Sequence, residues 1–315
     1  MFYTYLIKLN FMIEGDDMKI RGVLFTILSA VIFGFTPALA NITYDLGNNA
    51  LSMTFFRSLF AIPCLLIILK VKKIPLKIDK REAINIFILS LIGVALTIGL
   101  LYSSYSYIGI GAATTLHFMY PIFIALACKF IFKETLGIGK ILSLVIAFFG
   151  VMFFMDINNS GNITGALMAL ISAVTYAFYV LWIDKKGLVK INHYKLTFYI
   201  VTFASLQMFI GNFFGGYIKF NLPLKAYIII IICSLLASIV GIVSFQIGVS
   251  IIGSTSAAIF SLFEPVTSVI SGVVIFKEVL NLNKVLGCII ILISITYLAL
   301  ESRLKGKYIE AKIEI

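Results

Sequence analysis

The sequence predicts an all-α membrane protein, with ten transmembrane helices in two inverted five-helix repeats around a central cavity. Three observations carry that expectation. First, 61% of the 315 residues are hydrophobic and 12% are charged, too little polar surface to cover a soluble chain of this size. Second, Phe132-Lys133-Glu134 recurs 144 residues later as Phe276-Lys277-Glu278, each copy following a long apolar run with a proline at its centre. Third, Lys and Arg collect in alternate loops, the asymmetry that orients multi-pass proteins.

The duplication keeps its register. Ile20-Arg21-Gly22-Val23-Leu24 resembles Ile163-Thr164-Gly165-Ala166-Leu167, and Ser29-Ala30-Val31 recurs as Ser172-Ala173-Val174 at an offset of 143. Matches that hold to within one residue over most of a chain mark an internal repeat. The expected organisation is an N-terminal extension over 1–18, with Met18 an alternative native start, a first repeat over 19–156, a second over 160–301 and a basic cytoplasmic tail over 302–315.

A helix crosses the hydrocarbon on about 20 apolar residues, because its backbone can be satisfied there only internally. In the first repeat such runs extend from Gly22 to Ala40, Ala50 to Leu69, Ala83 to Ser103, Gly111 to Phe132 and Ile141 to Met155. In the second they extend from Thr164 to Ile183, Leu196 to Tyr217, Ala226 to Gly248, Ser254 to Phe276 and Val285 to Leu300. The fifth and tenth are short, and taken alone either fits a buried or interfacial helix. Their equivalence in the repeat supports both as spans, with Lys140 and Lys284 snorkelling to the interface.

With the N-terminus inside, twenty Lys and Arg residues fall on the inner side, at the N-terminus, 70–81, 129–140, 185–195 and 303–312. Four (Lys219, Lys225, Lys277 and Lys284) fall outside, and Arg57 is left within a span. Both termini are therefore expected in the cytoplasm. Five spans per half is an odd number, so the second half enters the membrane upside down relative to the first. The net charge of +11 reflects these topological clusters rather than a nucleic-acid surface. The four cysteines lie in apolar segments without paired spacing and read as small core residues.

Glu264-Pro265 lies near the middle of the ninth run and is equivalent to Tyr120-Pro121 in the fourth, 144 residues earlier. Each proline removes one backbone bond and obstructs another, freeing carbonyls at matched depth. A carboxylate at mid-membrane costs on the order of 3 kcal/mol on insertion scales, so Glu264 is a candidate substrate contact, or else structural glue between helices. Ser254, Ser261, Glu264, Ser268 and Ser271 share one helical face, a polar stripe that should look into the bundle interior. His117, one turn before Tyr120, projects from the same face, either into a cavity or into a bond with a backbone carbonyl or serine. Arg57 could bind an anionic group, pair with Glu264, snorkel outward or cap neighbouring carbonyls. Tyr102 and Gln246 are repeat equivalents at opposite ends and are candidate gates, while Phe33 and Tyr176 are candidates for an aromatic cavity wall.

No phosphate-binding glycine loop, metal-spaced Asp/Glu/His cluster or nucleophile-base pair occurs in the sequence. No cofactor, metal, nucleic-acid partner or catalytic residue is therefore expected.

With ten runs in a five-plus-five repeat, Phe56-Arg57 in the second, Glu264-Pro265 in the ninth and a Lys-Glu pair closing the fourth and ninth, the chain resembles an EamA-type member of the drug/metabolite transporter superfamily from Lys19 to about Leu300. The resemblance implies a basket of ten helices around a cavity open to one side at a time, and export of small metabolites or drugs such as amino acids and amines. Tyr120, Glu264 and the mid-depth aromatics would then line the cavity. The expected partners are a small-molecule substrate and the lipid bilayer of the cell membrane, with proton coupling through Glu264 as one option, in a monomer or homodimer. The competing expectations are a membrane-embedded enzyme with His117 and Glu264 as acid and base, and a passive channel or scaffold. The first lacks the usual metal ligands, and the second leaves the repeat unexplained.

Overall fold

In the computed structural model, which describes residues 2–154, 162–277 and 279–313, every regular element is helical. In the first repeat α1 (Phe2–Tyr44), α2 (Ala50–Val71) and α3 (Lys80–Ser90) lead into a π-helical stretch at Leu91–Leu96, then α4 (Thr97–His117), α5 (Tyr120–Phe130) and α6 (Ile138–Met152). The second has α7 (Ile163–Lys185), α8 (His193–Gly215), α9 (Leu224–Cys233), a π-helical stretch at Ser234–Gly241, α10 (Ile242–Phe260), α11 (Phe263–Phe276) and α12 (Leu282–Ile313). Helix starts follow the polar residues between the apolar runs. Asn49 accepts from Ser52 N–H at 2.8 Å, and Asp79 and Glu82 form a reciprocal capping box, satisfying amides that no carbonyl of the helix can reach.

Among the described residues, eight helices are long and apolar enough to cross a membrane, and Ile138–Met152 and Phe263–Ile275 are shorter. Of the runs read from the sequence, the fifth is short, whereas the tenth reaches a spanning length over Leu282–Glu301. The eighth and ninth meet at Gly253, whose non-helical backbone separates two helical stretches as Gly109 does between the third and fourth. The ninth is in turn broken at Ser261–Leu262, just before Pro265, as the fourth is at Phe118–Met119 before Pro121. A proline cannot donate to the carbonyl four residues back, so Ser261 O accepts from Glu264 N–H at 2.9 Å instead. The break also divides the polar stripe between two helices. Ser254, Ser261 and Ser271 are buried, the first bonded to Asp184 and the other two to their own backbone, while Glu264 and Ser268 reach the cavity.

The repeat is visible in the backbone. Gly109 (φ 74°, ψ 161°) and Gly253 (φ 77°, ψ 163°) are 144 residues apart and adopt the same conformation, one that strains any side chain. Lys133 and Lys277, in the recurring motif, both take left-handed φ, at 54° and 55°. Glu278 of that motif and residues 155–161 between the repeats lie outside the described residues.

The halves pack by exchange. α1 lies on α10 and α11, and α7 on α4 and α5. Between apolar helices in lipid, close approach through small residues supplies the attraction. A Cβ at Gly22 would meet Ile252 at 2.8 Å, and one at Gly165, its equivalent, would meet Ile108 at 2.8 Å. The remaining major pairs join equivalent helices, α2 with α8 and α6 with α12.

The loops sort by charge. At one end Lys195 donates to Lys77 O and Tyr199 to Leu76 O, Lys80, Arg81 and Lys186 line a shallow depression, and Lys185 meets Glu134. At the other, Asn49 Nδ2 donates to Tyr217 O at 2.8 Å and Lys219 N–H to Ser52 Oγ at 2.7 Å. The first is the basic end.

Candidate functional site

Between the halves lies a cavity of about 390 Å³, walled by α1, α4, α7, α10 and α11 and by the π stretch after α3, with Arg57 added from α2 and Lys284 from α12. It contains Glu264, Pro265, Arg57, His117, Tyr102, Phe33 and Tyr176, seven of the ten residues selected from sequence. Tyr120, Pro121 and Gln246 are not on its surface. Tyr120 is 1% exposed and stands behind the wall, edge-on to Tyr176 with ring centroids 4.7 Å apart. Gln246 is fully buried and turned toward α8, where Thr197 Oγ1 donates to its Oε1 at 3.3 Å; the neighbouring Phe245 takes the cavity position.

Glu264 sits at the second position of α11, brought to the cavity by the break before Pro265. Its backbone is gripped by α1. A Cβ at Gly34 would collide with Glu264 O and come within 2.7 Å of Thr267 Cβ, so glycine is needed there for the two helices to meet. The Glu264 carboxylate makes no hydrogen bond or ion pair with another described residue, Arg57 included. The Arg57 backbone is anchored through its carbonyl, which accepts from Ser234 Oγ at 2.6 Å, while its side chain lines the cavity and its Nε has no hydrogen-bond partner. An unpaired carboxylate and guanidinium in one low-dielectric space are each expensive without a partner, so the cavity is suited to a ligand or water that supplies one.

His117 is held by a defined chain. Ser172 Oγ gives its one proton to Ala169 O at 2.6 Å, so at 2.9 Å from His117 Nδ1 it can only accept. A neutral His117 therefore carries its proton on Nδ1 and offers Nε2 to the cavity as an acceptor. The serine bond and the cavity position, alternatives in the sequence, coexist. Next to it Thr97, just past the π stretch, donates to Thr175 Oγ1 at 2.7 Å, and Thr175 in turn to Ser172 O at 3.0 Å.

The apolar wall is a ring cluster. Tyr176 stacks on Tyr179 at 5.7 Å and 10°, and lies 5.4 Å from His117 and 6.3 Å from Phe245. Tyr179, Phe245, Tyr105, Thr97 and Pro37 also line the cavity and were not selected from sequence. Tyr179 had a legible signal, being one turn from Tyr176 on the same face.

The cavity thus combines one carboxylate, the guanidinium of Arg57, the ammonium of Lys284, an imidazole acceptor and stacked aromatic faces inside a multi-pass bundle of two interlocked repeats, the build of a membrane transporter. The chain belongs to the EamA-like transporter family, which matches it twice, over residues 20–155 and 163–300. It is 25% identical over 285 residues to an uncharacterized transporter of Archaeoglobus fulgidus, covering 90% of this chain and 95% of the relative. It is 22% identical over 297 residues to the uncharacterized transporter YcbK of Bacillus subtilis, covering 87% and 92%. A solved crystal structure superposes with a TM-score of 0.74 at 12% identity over 90% of this chain and 97% of that one, a likeness of fold.

Proposed function

We propose that this protein is a secondary transporter that exports small organic solutes carrying a positive or amine group across the cell membrane by alternating access. The observation that carries the reading is Glu264, a carboxylate with no partner among the described residues, in the wall of a 390 Å³ cavity faced with aromatic rings. Glu264 receives the cationic group, directly or by exchanging a proton for it. His117 Nε2 accepts a second donor, and Tyr176, Tyr179 and Phe33 hold an apolar or cationic surface against their faces. Arg57 engages an anionic group of the cargo. Tyr102 serves as a gate on the cavity side, with Gln246 as its counterpart in the opposite state.

Ten crossings in two inverted repeats, with both termini in the cytoplasm, fit this reading. The matched Gly109/Gly253 and Pro121/Pro265 breaks then give each half the same bending points, so that exchange of their conformations reverses the open side.

The test compares metabolites released by cells producing the wild type, Glu264→Gln at equal membrane level, or neither. Amines or amino acids accumulating outside with the wild type alone support export through Glu264. Three identical profiles defeat the reading. Saturable counterflow in vesicles separates a carrier from a channel.

A further inference from the structure

We infer that Asp184, Lys185, Glu134 and Ser254 form a latch that holds the basic end of the bundle shut, so that the cavity communicates with the opposite end. The inference rests on the alternating-access reading above. Glu134 stands just beyond α5, its N–H bonded to Cys128 O at 2.9 Å. Lys185, the last residue of α7, reaches Glu134 Oε1 at 2.5 Å and Asp184 Oδ2 at 2.9 Å. Ser254 Oγ donates to the same Asp184 oxygen at 2.7 Å. One ammonium and one hydroxyl therefore join the end of a first-repeat helix to two helices of the second.

The location of Ser254 gives the contact leverage. It follows Gly253, where α10 bends at φ 77°, so the latch grips α10 at its hinge. Beneath it Thr255 Oγ1 lies 3.5 Å from Cys128 Sγ, which is also 3.8 Å from Ser254 Oγ, and Cys128 is fully buried. The ionic layer thus covers a sealed seam between α5 and α10. Lys185 and Asp184 keep 22% and 20% of their side-chain surface exposed and Glu134 41%. Ion pairs in such surroundings are modest and separable, as a contact that must open each cycle requires.

In the other repeat Asp184 and Lys185 are replaced by Asn41 and Ile42, Ser254 by Ile110 and Thr255 by Gly111, so the Asp-Lys pair is not duplicated; the equivalent of Glu134 is Glu278, outside the described residues. Gly111 lies instead in the cavity wall beside Thr114, Thr115 and Phe154. Gly111 thus meets the cavity, whereas its equivalent Thr255 packs against the buried Cys128 beneath the latch. Tyr102 and Gln246 follow the same division, one in the cavity and one fully buried.

Cys128 is a built-in reporter of this seal. In full-length protein with Cys64, Cys233 and Cys288 replaced by Ala, Lys185→Met should raise modification of Cys128 by a membrane-impermeant maleimide applied to the basic face by about 5-fold or more. Ser254→Ala should act in the same direction and less. In a parallel chain with Cys128 also replaced by Ala and Thr114→Cys added, Lys185→Met should lower labelling from the opposite face. Unchanged labelling at both sites overturns the latch, and so does a rise at both, which marks general loosening rather than a change of open side. Efflux by the wild type separates the two readings. Intact efflux with no labelling shift removes the latch alone, whereas reciprocal labelling without any efflux keeps the latch and removes the transport reading.

Discussion

Tyr120-Pro121 and Glu264-Pro265 are the same backbone device used twice, and the two copies have diverged in what they present. Both follow a two-residue interruption, Phe118–Met119 in one repeat and Ser261–Leu262 in the other. In the first repeat the residue before the proline is a buried ring behind the cavity wall, edge-on to Tyr176. In the second it is a carboxylate in the wall itself. Duplication supplies matched bending points because they depend on local backbone chemistry. The binding chemistry is asymmetric because one side chain suffices to change it, and two facing carboxylates at that depth would repel in a medium that screens them poorly.

The largest expected effect removes the charged member of the pair. A hydrogen bond to a charged group contributes about 1.5–3 kcal/mol, so Glu264→Gln should raise the half-saturating substrate concentration for transport roughly 10- to 100-fold, read as efflux from loaded vesicles. A change of under about twofold would show that the two copies are equally structural.

Next comes the support of that residue. Gly34 admits α1 against Glu264 O, whereas its repeat equivalent, Ala177, carries a Cβ in a packed setting. Gly34→Val should destabilise the bundle by about 1–3 kcal/mol through overpacking, seen as an earlier thermal unfolding transition in detergent. Ala177→Gly should shift that transition by less. Equal shifts would mean that the two α1-type helices pack alike around the cavity.

A smaller effect is expected at Ser172, which fixes the His117 ring from α7. Ser172→Ala removes the acceptor that holds Nδ1–H and should weaken transport by roughly 3- to 10-fold, the worth of about one hydrogen bond. Ser172→Thr, which keeps the hydroxyl, should recover most of it. The smallest effect belongs to the first copy of the proline pair. Tyr120 Oη is buried away from the cavity with only Ser261 Oγ, itself bonded to Ala257 O, near enough to interact, so Tyr120→Phe should leave efflux within about twofold, since the ring's packing persists. A loss as large as that of Glu264→Gln would reverse the comparison and make the tyrosine hydroxyl a ligand.

The residues that reached the cavity and those that did not show where sequence reading succeeds. Phe33, Arg57, Tyr102, His117, Tyr176, Glu264 and Pro265 all line it, because each stood out against its surroundings: a charge or imidazole in an apolar run, a proline, or an aromatic at a repeat-matched depth. Gln246 stood out equally and faces α8 instead. One residue along a helix turns the side chain by about 100°, so the register that separates Phe245 from Gln246 is announced by no residue type. Phe245 gains the cavity by that same rotation. The polar stripe from Ser254 to Ser271 turns inward, but the break before Pro265 divides it, so that Ser254, Ser261 and Ser271 are buried in packing while Glu264 and Ser268 reach the cavity.

What the sequence determined by itself is whatever is written along the chain. Apolar runs long enough for lipid, the 144-residue register, the positions of glycine and proline that bend or break helices, and the sorting of basic loops are all properties of consecutive residues. Tertiary structure alone decided which faces meet across the bundle. It paired α1 with α10 and α7 with α4, left the Glu264 carboxylate without a partner among the described residues, and tied Ser254 to Asp184 and Lys185 to Glu134. Those outcomes depend on distances between segments far apart in the chain and on helix rotations of a fraction of a turn, and neither is encoded in any local pattern.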